Sequence, residues 1–187
     1  MGSLALDDRE SDEVLVRIER SGQVSVIDDD LSLSNGLAWS PAGDRFYNID
    51  TLSRTVWSRA YDPETGTCGP REVLLRLVNG NPDGLCVDSD GNLWIAIWGA
   101  REVRCYSPTG LQLATLEADA PNVSSVAFVG QELDILLITT ASEQLSPSEL
   151  AQYPNSGRLF SCRVGVHGLP VPYWSGLGGP VTVDRPD

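Results

Sequence analysis

Two stretches 48 positions apart, Ser34-Asn35-Gly36-Leu37-Ala38-Trp39 and Pro82-Asp83-Gly84-Leu85-Cys86-Val87, constrain most strongly what this chain can fold into. Each puts an oxygen-bearing side chain directly before Gly-Leu and an apolar alternation. The flanks repeat with them. A turn at Pro41-Ala42-Gly43 leads to Arg45-Phe46-Tyr47-Asn48-Ile49-Asp50, and a turn at Ser89-Asp90-Gly91 leads to Asn92-Leu93-Trp94-Ile95-Ala96-Ile97. Short alternating segments recurring at a period in the forties indicate copies of one unit, which bring equivalent positions to one place.

Polar/apolar alternation, clearest at 23–27, and short apolar runs between turn signals assign strands to 13–19, 23–27, 37–39, 45–49, 55–61, 71–77, 85–87, 93–97, 102–106 and 112–116. A weaker third copy is expected at 125–128, 135–139 and 158–162. The aspartates at 28–30 read as a solvated charged loop, and 79–82 as a loop of turn formers. Residues 142–155 break the strand pattern and read as a surface insertion. Within it a helix is expected to start with Ser146 as N-cap, Pro147 at its first position and Glu149 at its third.

Units of four short strands at this period give an all-β fold, a β-propeller. A single domain over 1–187 is expected, with blade-like units at about 13–33, 34–80, 81–121 and 122–176. Trp39, Trp94, Phe46 and Phe128 are expected in the core between blades. Three to four blades do not close a ring, so open apolar faces imply either pairing of two copies or pairing with a missing N-terminal half.

Thirteen Lys and Arg against 26 Asp and Glu give a net charge of −13, which repels nucleic acid. No apolar run approaches the ~18–20 residues of a membrane helix. The acidic start has no basic-then-apolar signal, and a cytoplasmic location is expected. Cys68, Cys86, Cys105 and Cys162 form no Cys-x-x-Cys pair; Cys86 and Cys105 read as buried thiols. The only histidine, His167, sits in an expected turn.

The ordered set of motifs resembles the SMP-30/gluconolactonase/regucalcin-like family over about residues 2–176. It comprises Ser34 to Pro41, Tyr47-Asn48-Ile49-Asp50-Thr51, Tyr61-Asp62-Pro63-Glu64-Thr65-Gly66, Pro82-Asp83-Gly84, Leu93-Trp94-Ile95-Ala96, Trp98-Gly99 and Val103 to Gly110. Gly157-Arg158-Leu159-Phe160 and Gly165 to Pro170 complete it. The resemblance implies a six-bladed propeller that hydrolyses sugar lactones with a divalent metal. It makes Asn35 and Asp83 metal ligands and Asp83 the general base. The family's third ligand, a Glu in a Gly-Glu-x-Pro context, has no counterpart in this sequence, nor have the substrate-binding Arg and Asn of its early blades.

The residue types agree with that chemistry. An amide carbonyl and a carboxylate are hard oxygen donors suited to Ca, Mg or Mn, with Zn also accommodated. Asn and Asp before Gly are equally frequent turn residues that bond their own backbone, so both readings stand. Asp50, at a strand end, is a candidate partner of the ligands. Asp88-Ser89-Asp90-Gly91-Asn92 lacks the spacing of an EF-hand loop and reads as a hairpin turn. Asn122-Val123-Ser124 has the form of a glycosylation acceptor but reads as a turn. The expected function is metal-dependent hydrolysis of sugar lactones. Its alternatives are a non-catalytic propeller fragment acting in binding or self-association, and a calcium-dependent esterase or phosphotriesterase relative.

Overall fold

β-branched, aromatic and leucine side chains at alternate positions turn almost every apolar run into a strand. The computed structural model describes residues 1–2, 13–171 and 182–183. In chain order its elements are β1 (Glu13–Ile18), β2 (Gln23–Leu31), β3 (Ser34–Trp39), β4 (Arg45–Asp50), β5 (Thr55–Asp62), β6 (Thr67–Cys68), β7 (Glu72–Arg76) and β8 (Asn81–Val87). There follow β9 (Leu93–Trp98), β10 (Glu102–Tyr106), β11 (Gln112–Glu117), β12 (Asn122–Val129), β13 (Ile135–Ala141), α1 (Pro147–Gln152), β14 (Leu159–Cys162) and β15 (Thr182–Val183).

The chain divides into two units, Met1–Ser34 with Val171–Asp187, and Asn35–Pro170. In the smaller unit β1 and β2 pair antiparallel, and β15 joins β2 in parallel. The aspartates 28–30 are strand here, not loop. β2 continues to Leu31, and Asp28 faces Leu15 across the ladder, where two register irregularities let the strand keep pairing. Leu31 is buried at its end, so an apolar anchor carries the strand through the charged run.

The larger unit is built from antiparallel sheets in chain order. The first runs β3-β4-β5, with β6 and β7 both on β5. Next come β8-β9-β10-β11, then β12-β13-β14. The last two merge into one seven-stranded sheet through a single ladder step, Asn122 opposite Trp98.

β9 shows why the sheets stack. Leu93, Ile95 and Ile97 pack to one side with Tyr47, Ile49 and Val56 of the preceding sheet. Trp94 and Ala96 pack to the other with Val123, Val126 and Leu136 of the following sheet. A strand buried on both faces loses its alternation and reads as a continuous apolar run, as 93–97 does. Each such side chain contributes roughly 1.5–3 kcal/mol by leaving water, and Ile95→Ala would cost about 2–5 kcal/mol.

Trp94 and Phe46 are buried as expected, and Phe128 packs edge-on against Trp94 at 6.3 Å. Trp39 is not a core residue: it is 43% exposed, stacked on Phe46 at 5.0 Å and Tyr61 at 5.9 Å. Its neighbour Ala38 takes the inward position, and the pleat sends Trp39 the other way.

The insertion holds the expected helix. Ser146 caps it, its Oγ accepting from Glu149 N while Ser146 N donates to Glu149 Oε2 at 2.8 Å. Arg101 lies over the Tyr153 ring at 4.7 Å, and Asn155 Nδ2 donates to Asp119 Oδ2 at 2.8 Å, which ties the insertion down.

Candidate functional site

Each sheet's first strand begins where its second strand ends, and the next sheet meets it there. Thr51, just past β4, donates from Oγ1 to the Pro82 carbonyl at 2.8 Å, at the start of β8. Gly99, just past β9, donates from N to the Pro121 carbonyl at 3.1 Å, at the start of β12. The strand starts that carry Asn35 and Asp83 therefore lie at one end of the larger unit.

Asn35 and Asp83 are in strands, not turns. Asn35 is the second residue of β3 and Asp83 the third of β8. Both are partly buried, and the Asn35 side chain is near enough to the Asp83 carboxylate to favour its charged form as a hydrogen-bond donor would. Burial pushes the Asp83 carboxyl up to about 6, and the Asn35 side chain opposes that rise. Asn81 and Pro82, read from sequence as part of a loop, and Asn35 and Asp83, for which a turn was the open alternative, are strand because ladder pairing outcompetes their turn propensity. Asn81 pairs with Trp98 and Pro82 with Ile97, and the register then slips before Leu85. Asp83 sits in that irregularity, where a bulge re-aims a side chain.

Glycine after each polar residue serves close approach. A Cβ on Gly36 would stand 2.7 Å from Asp83 O and 2.8 Å from Leu85 N. A Cβ on Gly84 would stand 2.2 Å from Ser125 Oγ. The motif thus lets each first strand lie directly on the next.

The other candidates fall elsewhere or in support. Asp50 is buried at the end of β4, beside the Thr51 that holds Pro82. Asp88 is fully buried and accepts from Asp90 N at 3.0 Å, Asn92 N at 2.8 Å, Asn92 Nδ2 at 3.1 Å and Trp94 Nε1 at 2.9 Å. It organises the hairpin turn, as the spacing implied. His167 is exposed, with Nδ1 2.9 Å from the Glu132 carbonyl. Asn122 is buried, opens β12 and donates to Glu143 O at 2.8 Å, so the triplet is neither a turn nor open to a glycan. All four cysteines are free; burial pushes Cys86 up to about 12 and Cys105 up to about 11, which keeps both as inert thiols.

One pair escaped the sequence reading. Ser124 is the β12 counterpart of Asn35 and Asp83, and its Oγ lies 2.8 Å from Thr139 Oγ1. It follows Asp83 by 41 positions rather than 48, and it does not precede Gly-Leu. The Ser-Val-Ala-Phe alternation that begins at Ser125 was the available signal. Among the described residues, no three His, Cys, Asp or Glu side chains gather as a metal-binding group, and no helix is long and apolar enough to cross a membrane.

Stacked antiparallel sheets with equivalent polar positions at one end define an all-β propeller protein. The chain belongs to the SMP-30/Gluconolactonase/LRE-like family, whose model matches residues 1–142. YvrE of Bacillus subtilis (strain 168) is 32% identical over 176 residues, 92% of this chain and 60% of that protein. The pentonolactonase XacC of Haloferax volcanii is 37% identical over 129 residues, 68% of this chain and 44% of that protein. The crystal structure of regucalcin from Agrobacterium tumefaciens, a calcium-binding protein, superposes with a TM-score of 0.85 at 26% identity, covering 94% of this chain and 59% of that one. The chain spans about half to three-fifths of the length of the curated relatives it matches.

Proposed function

We propose that this chain carries part of the active site of a metal-dependent sugar-lactone hydrolase, with Asp83 as general base and Asn35 and Asp83 as metal donors. The observation that carries the reading is the equivalent placement of Asn35 and Asp83 at the starts of successive first strands, each before the glycine at which a sheet packs on the next. Membership of a family that includes a pentonolactonase supports the substrate class, and the calcium-binding regucalcin relative supports the metal.

The donors fit a hard divalent ion by type. The Asn35 amide can present either its NH₂ or its carbonyl oxygen by a half-turn, so it can serve as an oxygen donor beside the Asp83 carboxylate. They are two in number, fewer than the six to eight oxygens calcium takes, so protein and water oxygens beyond this pair complete the shell. A bound divalent ion supplies Lewis acidity, polarising the lactone carbonyl and acidifying water. Asp83 receives the proton of the attacking water as its oxygen bonds to the carbonyl carbon. The ring C–O bond then breaks, and the departing oxygen takes up a proton to give the hydroxy acid. General-base help of this kind is worth roughly 10²–10⁴-fold in rate.

Incubating the chain with gluconolactone and calcium, manganese or zinc, beside Asp83→Ala, tests this. Hydrolysis by the unmodified chain that the variant loses supports it; equal rates remove Asp83 from catalysis. A second reading, self-association without turnover, is favoured by the apolar side chains left in water, Trp39 at 43% and Leu159 at 65% exposure. Light scattering decides it, since a monomer at working concentration excludes pairing.

A further inference from the structure

We propose that Ser124, held by Thr139, is a third side chain of the Asn35/Asp83 site and contacts a hydroxyl group of a polyhydroxylated ligand. The assignment deepens the lactone-hydrolase reading and rests on it for the position of the site.

Three observations converge on Ser124. The first is the packing step: Gly36 lies on the backbone at Asp83 to Leu85, and Gly84 lies on Ser125, against its side chain and Cα. Moving along these contacts, the residue before each contacted position is Asn35, then Asp83, then Ser124. The second is register. The β8–β9 ladder slips between Pro82 and Leu85, and the β12–β13 ladder slips between Val123 and Ser125. Ser124 is thus the residue left out of the ladder in β12, as Asp83 is in β8 together with Gly84. An unpaired bulge residue has its side chain free of the regular alternation.

The third is the hydrogen-bond inventory. Ser124 Oγ and Thr139 Oγ1 are 2.8 Å apart, and Thr139 Oγ1 lies 3.4 Å from the Ser125 carbonyl. Two hydroxyls sharing one bond use one of their two protons and leave acceptor lone pairs on both oxygens. If Thr139 donates to the Ser125 carbonyl, Ser124 donates to Thr139 and presents lone pairs. If Thr139 donates to Ser124, the Ser124 proton is available. The pair accordingly switches between donor and acceptor, which matches a sugar hydroxyl, itself both. Thr139 acts as a positioning residue, since its contacts are to Ser124 and the backbone.

The test uses the full chain with calcium and two probes, gluconate for binding and a pair of lactones for turnover. By calorimetry, Ser124→Ala weakens gluconate about tenfold, and Ser124→Thr stays within about threefold of the unmodified chain. Thr139→Val weakens it by a smaller factor, and Thr139→Ser restores it. Unchanged affinity in Ser124→Ala overturns the assignment, as does no gluconate binding by the unmodified chain. Equal loss in the alanine and threonine variants overturns it too, because that pattern marks a packing role. For turnover, Ser124→Ala raises KM for gluconolactone while leaving an unsubstituted six-membered lactone unaffected; parallel changes on both lactones count against the contact. Gluconate binding without turnover of either lactone sinks the hydrolase reading and leaves the Ser124 contact standing.

Discussion

The carboxylate of Asp88 accepts the indole N–H of Trp94 at 2.9 Å while its other oxygen holds the backbone N–H groups of Asp90 and Asn92. One buried anion therefore joins a turn to the core between two sheets. Asp88→Ala removes the acceptor of four donors, one of them the buried Trp94 indole, and should cost about 2–4 kcal/mol, read by urea denaturation. Trp94→Phe removes a single partner and should keep the turn. An Asp88→Ala protein as stable as the parent would show that water replaces the carboxylate.

Glycine at 84 is a steric requirement. Alanine there gains strand propensity of roughly 0.5–1 kcal/mol, yet its Cβ would sit 2.6 Å from Ser125 Cβ and 2.8 Å from Ser125 Cα. Overpacking wins, and Gly84→Ala should lose about 1–3 kcal/mol by chemical denaturation. Gly99→Ala is the control: φ is +79° but nothing lies within 4 Å, so only the backbone cost of about 1–2 kcal/mol remains. Because those magnitudes overlap, pairing Gly84→Ala with a shortened Ser125→Gly separates them. Ser125→Gly should recover part of the Gly84→Ala loss, since the contact with the Cα at 125 remains, and leave Gly99→Ala unaffected.

Asp83 gives the metal-free chain an unusual pH response. Its folded carboxyl titrates near 6, above the ordinary 3.8, because burial disfavours the anion. The folded state then binds more protons than the unfolded one between about pH 4 and 6, so stability falls as pH rises through that window. The loss is complete above pH 6 and amounts to roughly 1–2 kcal/mol once partial exposure is discounted. Asp83→Asn should flatten this component, measured as denaturation midpoints from pH 4 to 7 without metal. Identical slopes in parent and variant would refute the buried-anion account.

The six-residue helix α1 depends on its cap, since isolated turns of this length are unstable. Ser146→Ala removes the hydroxyl that accepts from Glu149 N while the backbone N–H at 146 still donates to the Glu149 carboxylate, and should cost about 1 kcal/mol, felt locally. Amide exchange should quicken at Leu150 and Tyr153, whose N–H groups close the helix, while β9 stays protected.

The strands were legible wherever period 2 survived, and α1 was legible because capping is a local, residue-specific exchange. The 48-residue repeat pointed to Asn35 and Asp83 for the same reason, since it needs no knowledge of packing. What was hidden depends on long-range pairing. Asp28 to Asp30 extend β2 because β1 lies alongside, and Asn122 opens a strand because Trp98 faces it. Trp39 looked like core by composition, but which face of β3 is inward is decided by Ala38 packing with Tyr47 and Ile49. Ser124 was invisible for a different reason: the second interval is shorter and its glycine is replaced by Ser125, so the motif that marks its two counterparts is gone.

The ladder step between Trp98 and Asn122, reinforced by Gly99 N and Arg101 N both donating to Pro121 O at 3.1 Å, has a consequence for how such chains are cut and rejoined. The boundary between β7 and β8 has no inter-sheet ladder step; there the sheets are separate and the Thr51 side chain reaches across. A recombination breakpoint near residues 77–80 exchanges modules along a seam of side chains. One near 118–121 severs main-chain pairing, so β8 to β14 is inherited most safely as a single cassette.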